Sequence, residues 1–329
     1  MNILLTGATG FLGFRTLERL VQLSEVKSIV ASGRVLRDSR KIIHPKVNYI
    51  LGDLADEGFV NSIIKNIEVV INTASLSSPW GSDELFYTSN VLSQKNIINA
   101  SKIKGVSKII YISSPSIYYN GEDRLLIKES EPLPKKFVNN YSKTKREAEN
   151  LLQQSYLNYI IIRPRAIIGR GDTVIMPRLI KAHSEGRLRI IGSGENIVDL
   201  TSVENVVESI VLSINAPKKA LNETYNITDG KPIKLWEAIN VVFKGIGRKQ
   251  IDKKVKFNFA YFVASILEVV SILFTKKEPS LTKYSVGVLS KTFTLDISKA
   301  KKLLNYTPVV TTEQSIEEFI NWYKSSYEG

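Results

Sequence analysis

The sequence contains no cysteine and only two histidines, His44 and His183, among its 329 residues. The absence of cysteine excludes disulfide bonds, thiolate catalysis and cysteine-ligated metals, and it fits a reducing compartment. Two isolated histidines cannot form a histidine-rich metal site, so we interpret both as surface or packing residues. We therefore expect a function that uses no bound metal.

Signals for secretion and for nucleic-acid binding are also missing. No basic region precedes an apolar core at the N-terminus, so no signal peptide is predicted and a cytoplasmic location is expected. No basic stripe interleaved with aromatic residues is present, which argues against a nucleic-acid partner. The net charge of +13 suits anionic ligands such as nucleotides or an acidic membrane surface, although a solvated lysine-rich surface would have the same balance.

A glycine-rich turn lies between a strand-like apolar run at the N-terminus and a segment with helical spacing. In this turn Gly7 permits a tight bend, Gly10 lets the backbone approach a pyrophosphate, and Gly13 lets the helix pack closely on the strand. The N-terminus of that helix would face the negative charge. An ordinary structural glycine turn is the alternative. The pattern predicts a dinucleotide site made by Gly7, Thr9, Gly10, Phe11, Leu12 and Gly13.

The end of the second predicted strand bears on the choice between NAD and NADP. An NAD-specific domain places an Asp or Glu there on the ribose hydroxyl, whereas this chain reads Ser32-Gly33-Arg34. The planar guanidinium of Arg34 suits a 2′-phosphate, which predicts NADP over NAD, although Arg34 could instead stack on adenine. At the end of the third strand Asp53, followed by Leu54, is predicted either to accept a hydrogen bond from the adenine amino group or to cap the next helix.

Strand-like apolar runs alternate with segments of helical spacing through the first half of the chain. The pattern predicts an α/β fold over residues 1–165, a doubly wound parallel sheet of the Rossmann type. A segment near 195–227 is expected to return to this domain, and residues 166–329 are expected to form mainly a smaller α/β substrate-binding domain. Predicted strands are 27–32, 46–51, 68–74, 108–112 and 159–163, predicted helices are 84–104 and 139–154, and 121–134 is predicted as a polar loop.

The fourth strand ends in small residues, and an aromatic residue follows in the next loop. Thr73, Ala74 and Ser75 would let the dinucleotide pass close to the backbone. Trp80 lies where a substrate would bind in such a fold, although it could equally be a packing residue. Asn90, within the predicted helix 84–104, is expected either to hold a water or a backbone group near the site or to be an ordinary polar position.

Tyr141 and Lys145 lie one turn apart on a predicted helix and share a face. A lysine ammonium beside a phenol favours the phenolate, so we expect the pKa of Tyr141 to fall from about 10 toward the working range. A phenol tuned in this way can transfer a proton to or from a carbonyl oxygen. Ser114, at a strand end, would hold the same oxygen, and Lys145 would also grip the nicotinamide ribose. An exposed helix pair is the alternative.

Together these motifs resemble the extended short-chain dehydrogenases/reductases, the NAD-dependent epimerase/dehydratase superfamily. The glycine turn, Asp53, Ser114 and the Tyr141/Lys145 pair occur in the family's order, and the resemblance covers essentially the whole chain. It implies a catalytic triad of Ser114, Tyr141 and Lys145, assisted by Asn90, with Ser113 and Ser116 close enough to be alternatives to Ser114. We also assign Pro164 to the cofactor site and Trp80, Ser116, Tyr118 and Arg165 to the substrate site.

Softer motifs point to one subgroup of this family. The segment 162–172, with 119–123, 279–282 and 293–300, is similar to 3β-hydroxysteroid and sterol dehydrogenases. Pro115-Ser116 stands where sugar 4,6-dehydratases carry Asp-Glu, and Ile117-Tyr118-Tyr119 departs from the Val-Tyr-Gly of sugar epimerases. The resemblance therefore implies an enzyme that interconverts a secondary alcohol and a ketone on a hydrophobic, steroid-like small molecule, and Arg34 adds the preference for NADP over NAD.

Two other functions are weighed against this one. A nucleotide-sugar epimerase with tightly bound NAD would need arginines for a second pyrophosphate, for which Arg170 and Arg178 are candidates. A non-catalytic NADP-sensing protein is the third possibility, but such relatives typically lose the Tyr/Lys pair that this chain keeps.

The segment 257–274 is strongly apolar and is followed by the basic pair Lys276-Lys277. Its polar residues fall on one side of a helix, and its length and central glutamate argue against a membrane span. Two interpretations stay open: an interfacial helix that gives peripheral membrane contact through 257–277, or a helix that packs on its own domain and lines an apolar substrate pocket. A homodimer is also compatible with the sequence.

Overall fold

A computed structural model describes residues 1–327 of the chain, in which strands and helices alternate from the N-terminus. The strands are β1 Asn2–Thr6, β2 Ser28–Gly33, β3 Val47–Leu51, β4 Val69–Asn72, β5 Lys108–Ile112, β6 Arg124–Ile127, β7 Tyr159–Pro164, β8 Ile167–Ile168, β9 Ile190–Ile191, β10 Ile197–Val198, β11 Thr201–Ser202, β12 Glu223–Ile227, β13 Ile233–Lys234, β14 Lys254–Val255 and β15 Phe293–Leu295. The α-helices are α1 Phe11–Leu20, α2 Glu57–Ile63, α3 Asp83–Phe86, α4 Ser93–Lys104, α5 Asn140–Gln153, α6 Met176–Ser184, α7 Val203–Ile214, α8 Leu235–Gly245, α9 Phe257–Val270, α10 Lys283–Ser290, α11 Ser298–Leu304 and α12 Thr312–Tyr327. Short 3₁₀ turns cover Asp38–Arg40, Pro115–Tyr118 and Lys218–Ala220, and π-helical turns cover Tyr87–Leu92 and Ser271–Thr275.

Seven of these strands form one parallel sheet in the order β12-β7-β5-β4-β1-β2-β3. Its central strands are continuous apolar runs, and Ile3, Leu4 and Leu5 of β1 are fully buried. Such runs are expected where helices cover both faces of a sheet. One face packs on α1, α7 and α11, and the other packs on α2, α4 and α5. The predicted doubly wound parallel fold is confirmed.

The predicted strands of this sheet are confirmed to within two residues at either end, as is the predicted helix 139–154. The helix predicted over 84–104 is instead three consecutive segments, because the π-helical turn Tyr87–Leu92 separates α3 from α4. The prediction that 121–134 is only a loop is wrong. Residues Arg124–Ile127 form β6, which pairs with β15 through Arg124 opposite Phe293 and Ile127 opposite Leu295.

After β7 the chain contributes both to the main sheet and to a second core. Helix α7 packs on α1, and β12 pairs in parallel with β7 at the sheet edge. Parts of α6, α8, α9, α10 and α12 share a separate hydrophobic core. Beside it lies a four-stranded sheet in the order β13-β10-β15-β6. The two predicted histidine roles fit these packings: His183 stacks on Phe243 at 4.5 Å between ring centroids, and His44 Nδ1 accepts from the backbone N–H of Lys46.

The helix predicted from the apolar segment 257–274 is present as α9 and its π-helical continuation. Unlike an ordinary surface helix, it turns its large apolar side chains away from the protein. Ala264 and Ser271 are buried, and Glu268 turns inward to accept from the backbone N–H of Lys283 at 2.7 Å and to pair with its ammonium at 3.1 Å. The large apolar side chains face outward, with exposures between 42% and 78%: Phe259, Tyr261, Phe262, Ile266, Val269, Ile272, Leu273 and Phe274. The interpretation that this helix buries its apolar face and lines a pocket is therefore wrong.

Length and composition distinguish this helix from the other helices among residues 1–327. Phe257–Thr275 spans 19 residues and is the one helix there that is long and apolar enough to cross a membrane. Glu268 nevertheless anchors it on the protein surface by pairing with Lys283, and Ser271 is buried against the protein. We therefore treat it as a surface helix whose apolar side is exposed.

A buried ion pair joins α5 to the sheet. Arg163 of β7 donates from Nε to Glu149 Oε1 at 2.8 Å and from Nη2 to Glu149 Oε2 at 2.6 Å, and both residues are almost completely buried. The third donor of Arg163 bonds to the hydroxyl of Tyr118, which donates to Asn226 at 3.1 Å. Burial alone would raise the pKa of Glu149, but Arg163 outweighs burial and lowers it. The carboxylate is therefore charged, and both charges are compensated.

Glu149→Gln is expected to reduce the free energy of unfolding by about 3–5 kcal/mol, because it leaves the Arg163 charge buried without its counter-ion. Urea denaturation followed by circular dichroism measures this change. Lys143→Gln on the same helix is the matched control, because it breaks an exposed pair with Asp83 and should cost about 1 kcal/mol or less. Equal losses in the two variants would contradict the role given to the buried pair.

Candidate functional site

The glycine turn between β1 and α1 leaves no room for side chains. Gly7 has φ +72°, and the backbone N–H of Gly10 donates to the Gly7 carbonyl at 2.9 Å. A Cβ on Gly13 would lie 2.0 Å from the Gly7 oxygen, whereas a Cβ on Gly10 would lie 3.2 Å from it. Gly13 is therefore required by packing, and Gly10 keeps the surface of the turn open.

The N-terminus of α1 has no side-chain cap, since Gly10 occupies the capping position. The first backbone N–H groups of a helix have no partner within the helix and carry partial positive charge. Here those groups belong to Phe11, Leu12 and Gly13 and stand next to the open face of Gly10. The turn therefore fits a dinucleotide pyrophosphate on its own geometry.

The end of β4 closes the other side of this turn. Asn72 accepts from Thr6 Oγ1 at 2.6 Å and from the backbone N–H of Ala74 at 3.0 Å. The Thr73 hydroxyl donates to the Thr6 carbonyl at 2.7 Å, and a Cβ on Gly7 would collide with Ala74 at 2.7 Å. The predicted small residues thus lie against the glycine turn, as a passing dinucleotide requires.

The predicted adenosine-binding residues lie beyond the turn, at the ends of β2 and β3. Arg34 directly follows β2 and is exposed. Asp53 is exposed and accepts from the backbone N–H of Ala55 at 2.9 Å, while Asp56, three residues later, caps α2. The alternative of Asp53 as the helix cap is therefore wrong, and its Oδ2 accepts no hydrogen bond from residues 1–327. Arg40, which the sequence did not single out, donates to the carbonyl of Thr9 at 3.3 Å and so contacts the turn itself.

Tyr141 lies in the first turn of α5, next to the end of β5. The hydroxyls of Ser114 and Ser77 both form hydrogen bonds with its phenol, which lower the pKa of Tyr141. Burial raises the pKa of Tyr141 to about 12, and the two serines offset this only in part. Phe86 packs at 6.5 Å between ring centroids. The sequence pointed to Ser114, but Ser77 was missed because nothing distinguishes it within a serine-rich loop.

Lys145 is completely buried one turn further along α5. Its Nζ donates to the Ile112 carbonyl at 2.5 Å and lies 4.4 Å from the centroid of the Tyr111 ring. Burial lowers the pKa of Lys145 to about 7, with partial opposition from Glu149. The prediction that Lys145 lowers the pKa of Tyr141 is wrong for this structure, because the ammonium is held by Ile112 and burial dominates at the phenol.

Asn90 lies in the π-helical turn Tyr87–Leu92 and is buried. Its Oδ1 accepts from the backbone N–H of Leu76 at 2.8 Å, and its Nδ2 donates to Thr144 Oγ1 at 3.1 Å. One side chain therefore joins the loop after β4 to helix α5, between Tyr141 and Lys145. Of the two roles that the sequence left open for Asn90, it takes that of a residue that holds a backbone group near the site.

The serines and tyrosine near Ser114 divide into two groups. Ser114 caps the 3₁₀ turn and lies 3.0 Å from Ser116, with its hydroxyl toward Tyr141, whereas Ser113 is buried and its hydroxyl has no hydrogen-bond partner among residues 1–327. Ser114 is therefore the serine of the site, with Ser116 next to it. Tyr118, assigned to the substrate site, is instead fully buried, with its hydroxyl bonded to Arg163 and Asn226. The assignment of Tyr118 to the substrate site is therefore wrong, because its hydroxyl belongs to the buried hydrogen-bond network.

The side of the site away from the glycine turn is aromatic. Trp80 is partly exposed in the loop after β4. Pro164 is buried at the end of β7, and Arg165 follows it. Tyr284 of α10 is near enough to Tyr141 to raise the pKa of that phenol, and Arg165 is near enough to Tyr284 to lower the pKa of Tyr284. No sequence motif marked Tyr284, because α10 reaches the site only through the second core.

The two arginines considered for a second pyrophosphate are already paired. Arg170 bonds to Glu18 at 2.9 Å and lies 3.5 Å from Glu318. Arg178 pairs with Glu278 at 2.6 Å on the surface. Neither guanidinium is free for a nucleotide-sugar phosphate in this structure. Residues 1–327 also contain no group of three or more side chains that could hold a metal ion.

The chain is similar in sequence to proteins of known activity. Residues 4–258 match the 3-beta hydroxysteroid dehydrogenase/isomerase family. The chain is 35% identical over 292 residues to 3beta-hydroxysteroid-dehydrogenase/decarboxylase isoform 1 of Arabidopsis thaliana, covering 84% of this chain and 66% of that protein, just under two thirds of its length. It is 29% identical over 325 residues to 2-alkyl-3-oxoalkanoate reductase of Stenotrophomonas maltophilia, covering 96% of this chain and 97% of that one.

Solved structures show the same fold at lower sequence identity. UDP-glucuronic acid 4-epimerase from Bacillus cereus in complex with NAD superposes with a TM-score of 0.77 and 22% identity, covering 99% of this chain and 100% of that chain. At this level of identity the likeness concerns the fold. It agrees with the doubly wound sheet described above.

Proposed function

The chain belongs to the 3-beta hydroxysteroid dehydrogenase/isomerase family and is an NAD(P)-dependent oxidoreductase of the extended short-chain dehydrogenase/reductase type; from this we propose that it interconverts a secondary alcohol and its ketone on a hydrophobic, steroid-like substrate. One observation carries the proposal: the Tyr141 phenol and the Ser114 hydroxyl meet at the same sheet edge as the glycine turn. Ligands of open parallel sheets bind at that edge.

The chemistry divides between the cofactor and this chain. The nicotinamide, when bound, supplies or accepts the hydride at the carbinol carbon. In the direction of reduction, Tyr141 gives its phenolic proton to the ketone oxygen, and the raised pKa keeps that proton in place at neutral pH. Ser114 donates to the same oxygen and fixes its position. In oxidation the proton returns from the alcohol to Tyr141.

Lys145 has a separate part in this proposal. It is held by the Ile112 carbonyl at the floor of the site, and its pKa of about 7 lets it gain or lose a proton near neutrality. We assign it to the nicotinamide ribose, together with the open backbone of the glycine turn for the pyrophosphate and Asp53 and Arg34 for the adenosine end. Asn90 acts as a positioning residue, because it holds the loop and helix that flank Tyr141.

The hydrophobic substrate is supported by the relatives and by the surface. The two curated relatives described above are named for a hydroxysteroid and for a 2-alkyl-3-oxoalkanoate, which are both largely apolar. The alternative of a nucleotide-sugar epimerase is weaker, because Arg170 and Arg178 are paired with glutamates. The loop that carries Trp80 reaches the start of α5, where Asn140 Nδ2 donates to the Gly81 carbonyl at 3.2 Å.

Tyr141→Phe is expected to lower kcat by about 10²- to 10⁴-fold, the range of general acid–base catalysis, with little change in cofactor affinity. Absorbance at the nicotinamide band measures turnover of hydrophobic cyclic ketones and, in parallel, of UDP-sugars. Tyr87→Phe, on the exposed side of the π-helical turn, is the control for loss of a phenol hydroxyl elsewhere. Full activity in Tyr141→Phe would remove the proton-transfer role, and turnover of the UDP-sugars alone would favour the epimerase.

The preference for NADP is proposed from Arg34. Arg34→Ala is expected to weaken NADPH binding by about tenfold, as for the loss of hydrogen bonds to a charged group, and to leave NADH binding nearly unchanged. Fluorescence titration of each cofactor gives the two dissociation constants. Arg19→Ala is the control, because it removes one exposed positive charge at the far end of α1. Equal weakening of both cofactors would indicate adenine stacking in place of phosphate recognition.

We also propose that the exposed apolar side of α9 contacts an anionic membrane surface. Large apolar side chains cover this side, and Lys256, Lys276 and Lys277 flank its two ends, all exposed. Apolar area and positive charge together are what bind an interfacial helix to anionic lipid. The inward pairing of Glu268 with Lys283 removes the one acidic group from the exposed side. A hydrophobic substrate dissolved in lipid would be reached from such a position.

Flotation with phosphatidylcholine vesicles, with and without phosphatidylserine, tests this contact. The protein should float with the anionic vesicles and dissociate as salt is raised, and Phe262→Ser/Leu273→Ser should stay unbound. Val241→Ser on α8, another exposed apolar position, is the control and should bind like the wild type. Absence of wild-type flotation would refute the membrane contact. Sedimentation of the same variants would show whether this side instead joins two copies of the chain.

A further inference from the structure

Arg40 joins the glycine turn to a loop that lies far along the chain. It ends the 3₁₀ turn Asp38–Arg40 after β2 and is half-buried. Its Nη1 donates to the Thr9 carbonyl at 3.3 Å, and its Nη2 donates to the Gly171 carbonyl at 3.1 Å. Because both nitrogens belong to one planar guanidinium, the two carbonyls lie next to each other. The glycine turn and the loop around Gly171 are therefore neighbours, and Arg40 bridges them.

The 169–172 loop has a defined shape and packs on α1. Gly169 and Gly171 have φ of +135° and +86°, a backbone conformation that favours glycine. Asp172 is buried, and its carboxylate accepts from three backbone N–H groups around the start of α6 at 2.7, 2.9 and 3.1 Å. A Cβ on Gly171 would lie 3.7 Å from Phe11 Cδ2, so the loop backbone lies against the first residue of α1. The loop is therefore built against the N-terminus of that helix.

A second contact attaches the same loop further along α1. Arg170 pairs with Glu18 at 2.9 Å and lies 3.5 Å from Glu318 of α12. This pairing holds the 169–172 loop to the later part of α1, whereas Arg40 holds it at the end of the helix where the pyrophosphate would bind. Of the two contacts, the one made by Arg40 is therefore the one that reaches the glycine turn.

The contacts of Arg40 and of the loop fall on the two residues that flank Gly10. Arg40 holds the carbonyl of Thr9 on one side, and the loop packs on Phe11 on the other side. The open face of Gly10 and the first N–H groups of α1 are where the pyrophosphate fits. A glycine-rich backbone is flexible unless other contacts fix it, and an ordered site binds more tightly because less conformational entropy is lost. Arg40 therefore supplies order that the glycines do not.

We propose that Arg40 is a positioning residue for the dinucleotide: by joining Thr9 to Gly171 it fixes the glycine turn and makes the 169–172 loop an outer wall of the pyrophosphate site. The inference concerns the part of the cofactor that NAD and NADP share, so it differs from the role given to Arg34. It rests on the use of NAD(P) and is independent of which alcohol or ketone is bound.

The test compares Arg40→Gln with Lys46→Gln for binding of NADPH and of NADH, measured by fluorescence titration. Lys46 is the matched control, because its Nζ also donates to two backbone carbonyls, those of Val21 and Leu23 at 3.1 and 2.6 Å, but at the opposite end of α1. Arg40→Gln should weaken both cofactors by a similar factor, roughly tenfold, as for the loss of one or two hydrogen bonds. Lys46→Gln should bind both cofactors like the wild type.

Arg40→Lys separates the bridge between the two carbonyls from the positive charge. A lysine keeps the charge but lacks the planar fork that spans both carbonyls, so this variant should recover only part of the affinity. Full recovery would mean that the charge alone attracts the cofactor, which contradicts the inference. A loss confined to NADPH in Arg40→Gln would indicate contact with the 2′-phosphate. That result, no loss at all, or an equal loss in Lys46→Gln would each overturn the proposal.

Hydrogen exchange followed by mass spectrometry gives a readout that needs no activity. Without cofactor, Arg40→Gln should exchange faster than the wild type in peptides that cover residues 7–13 and 169–175, whereas Lys46→Gln should do so only near residues 21–27. Unchanged exchange in both regions of Arg40→Gln would refute the bridge. If the wild type bound neither cofactor, the inference would fail together with the NAD(P) site. Bound cofactor without turnover of any alcohol or ketone would refute the proposed activity and leave the role of Arg40 standing.

Discussion

The buried pair between Glu149 and Arg163 is the interaction on which the site depends. The three donors of Arg163 reach α5 through Glu149 and the 3₁₀ turn through Tyr118. Those two elements, with β7 itself, carry Tyr141, Lys145, Ser114 and Arg165. Because a desolvated guanidinium requires fixed partners in a fixed geometry, the pair sets the distance between helix and sheet. The relative positions of the catalytic groups follow from that distance.

Local chemistry explains which parts of the site the sequence could predict. A tight turn with positive φ at Gly7 and a Cβ collision at Gly13 demand glycine whatever surrounds them, so the pattern alone locates the pyrophosphate site. Ser114, Tyr141 and Lys145 are likewise marked by strand end and helix spacing. Their electrostatics could not be predicted, because the pKa of Tyr141 depends on burial by residues from distant parts of the chain.

Features that depend on pairing between distant parts of the chain could not be predicted from the sequence. Strand β6 exists because β15, far along the chain, pairs with it, and nothing within 121–134 reveals that partner. Tyr118 looked available to a substrate because its motif position is near Ser114, yet Arg163 and Asn226 hold its hydroxyl in the interior. For the apolar helix, Glu268 and Ser271 of the predicted polar side face the protein whereas Asn258 is exposed, and the sequence could not reveal the pairing of Glu268 with Lys283.

The π-helical turn around Asn90 constrains how this chain can change in length. A π-helical turn accommodates one residue more than an α-helical turn, through hydrogen bonds that span five residues. Deleting one residue from Tyr87–Leu92 would restore regular α-helix and rotate what precedes it by about 100° relative to α4. Asn90 could then no longer join Leu76 to Thr144. Insertions and deletions among homologues should therefore accumulate in the exposed loops and avoid this turn, even though it lies in the middle of a helix.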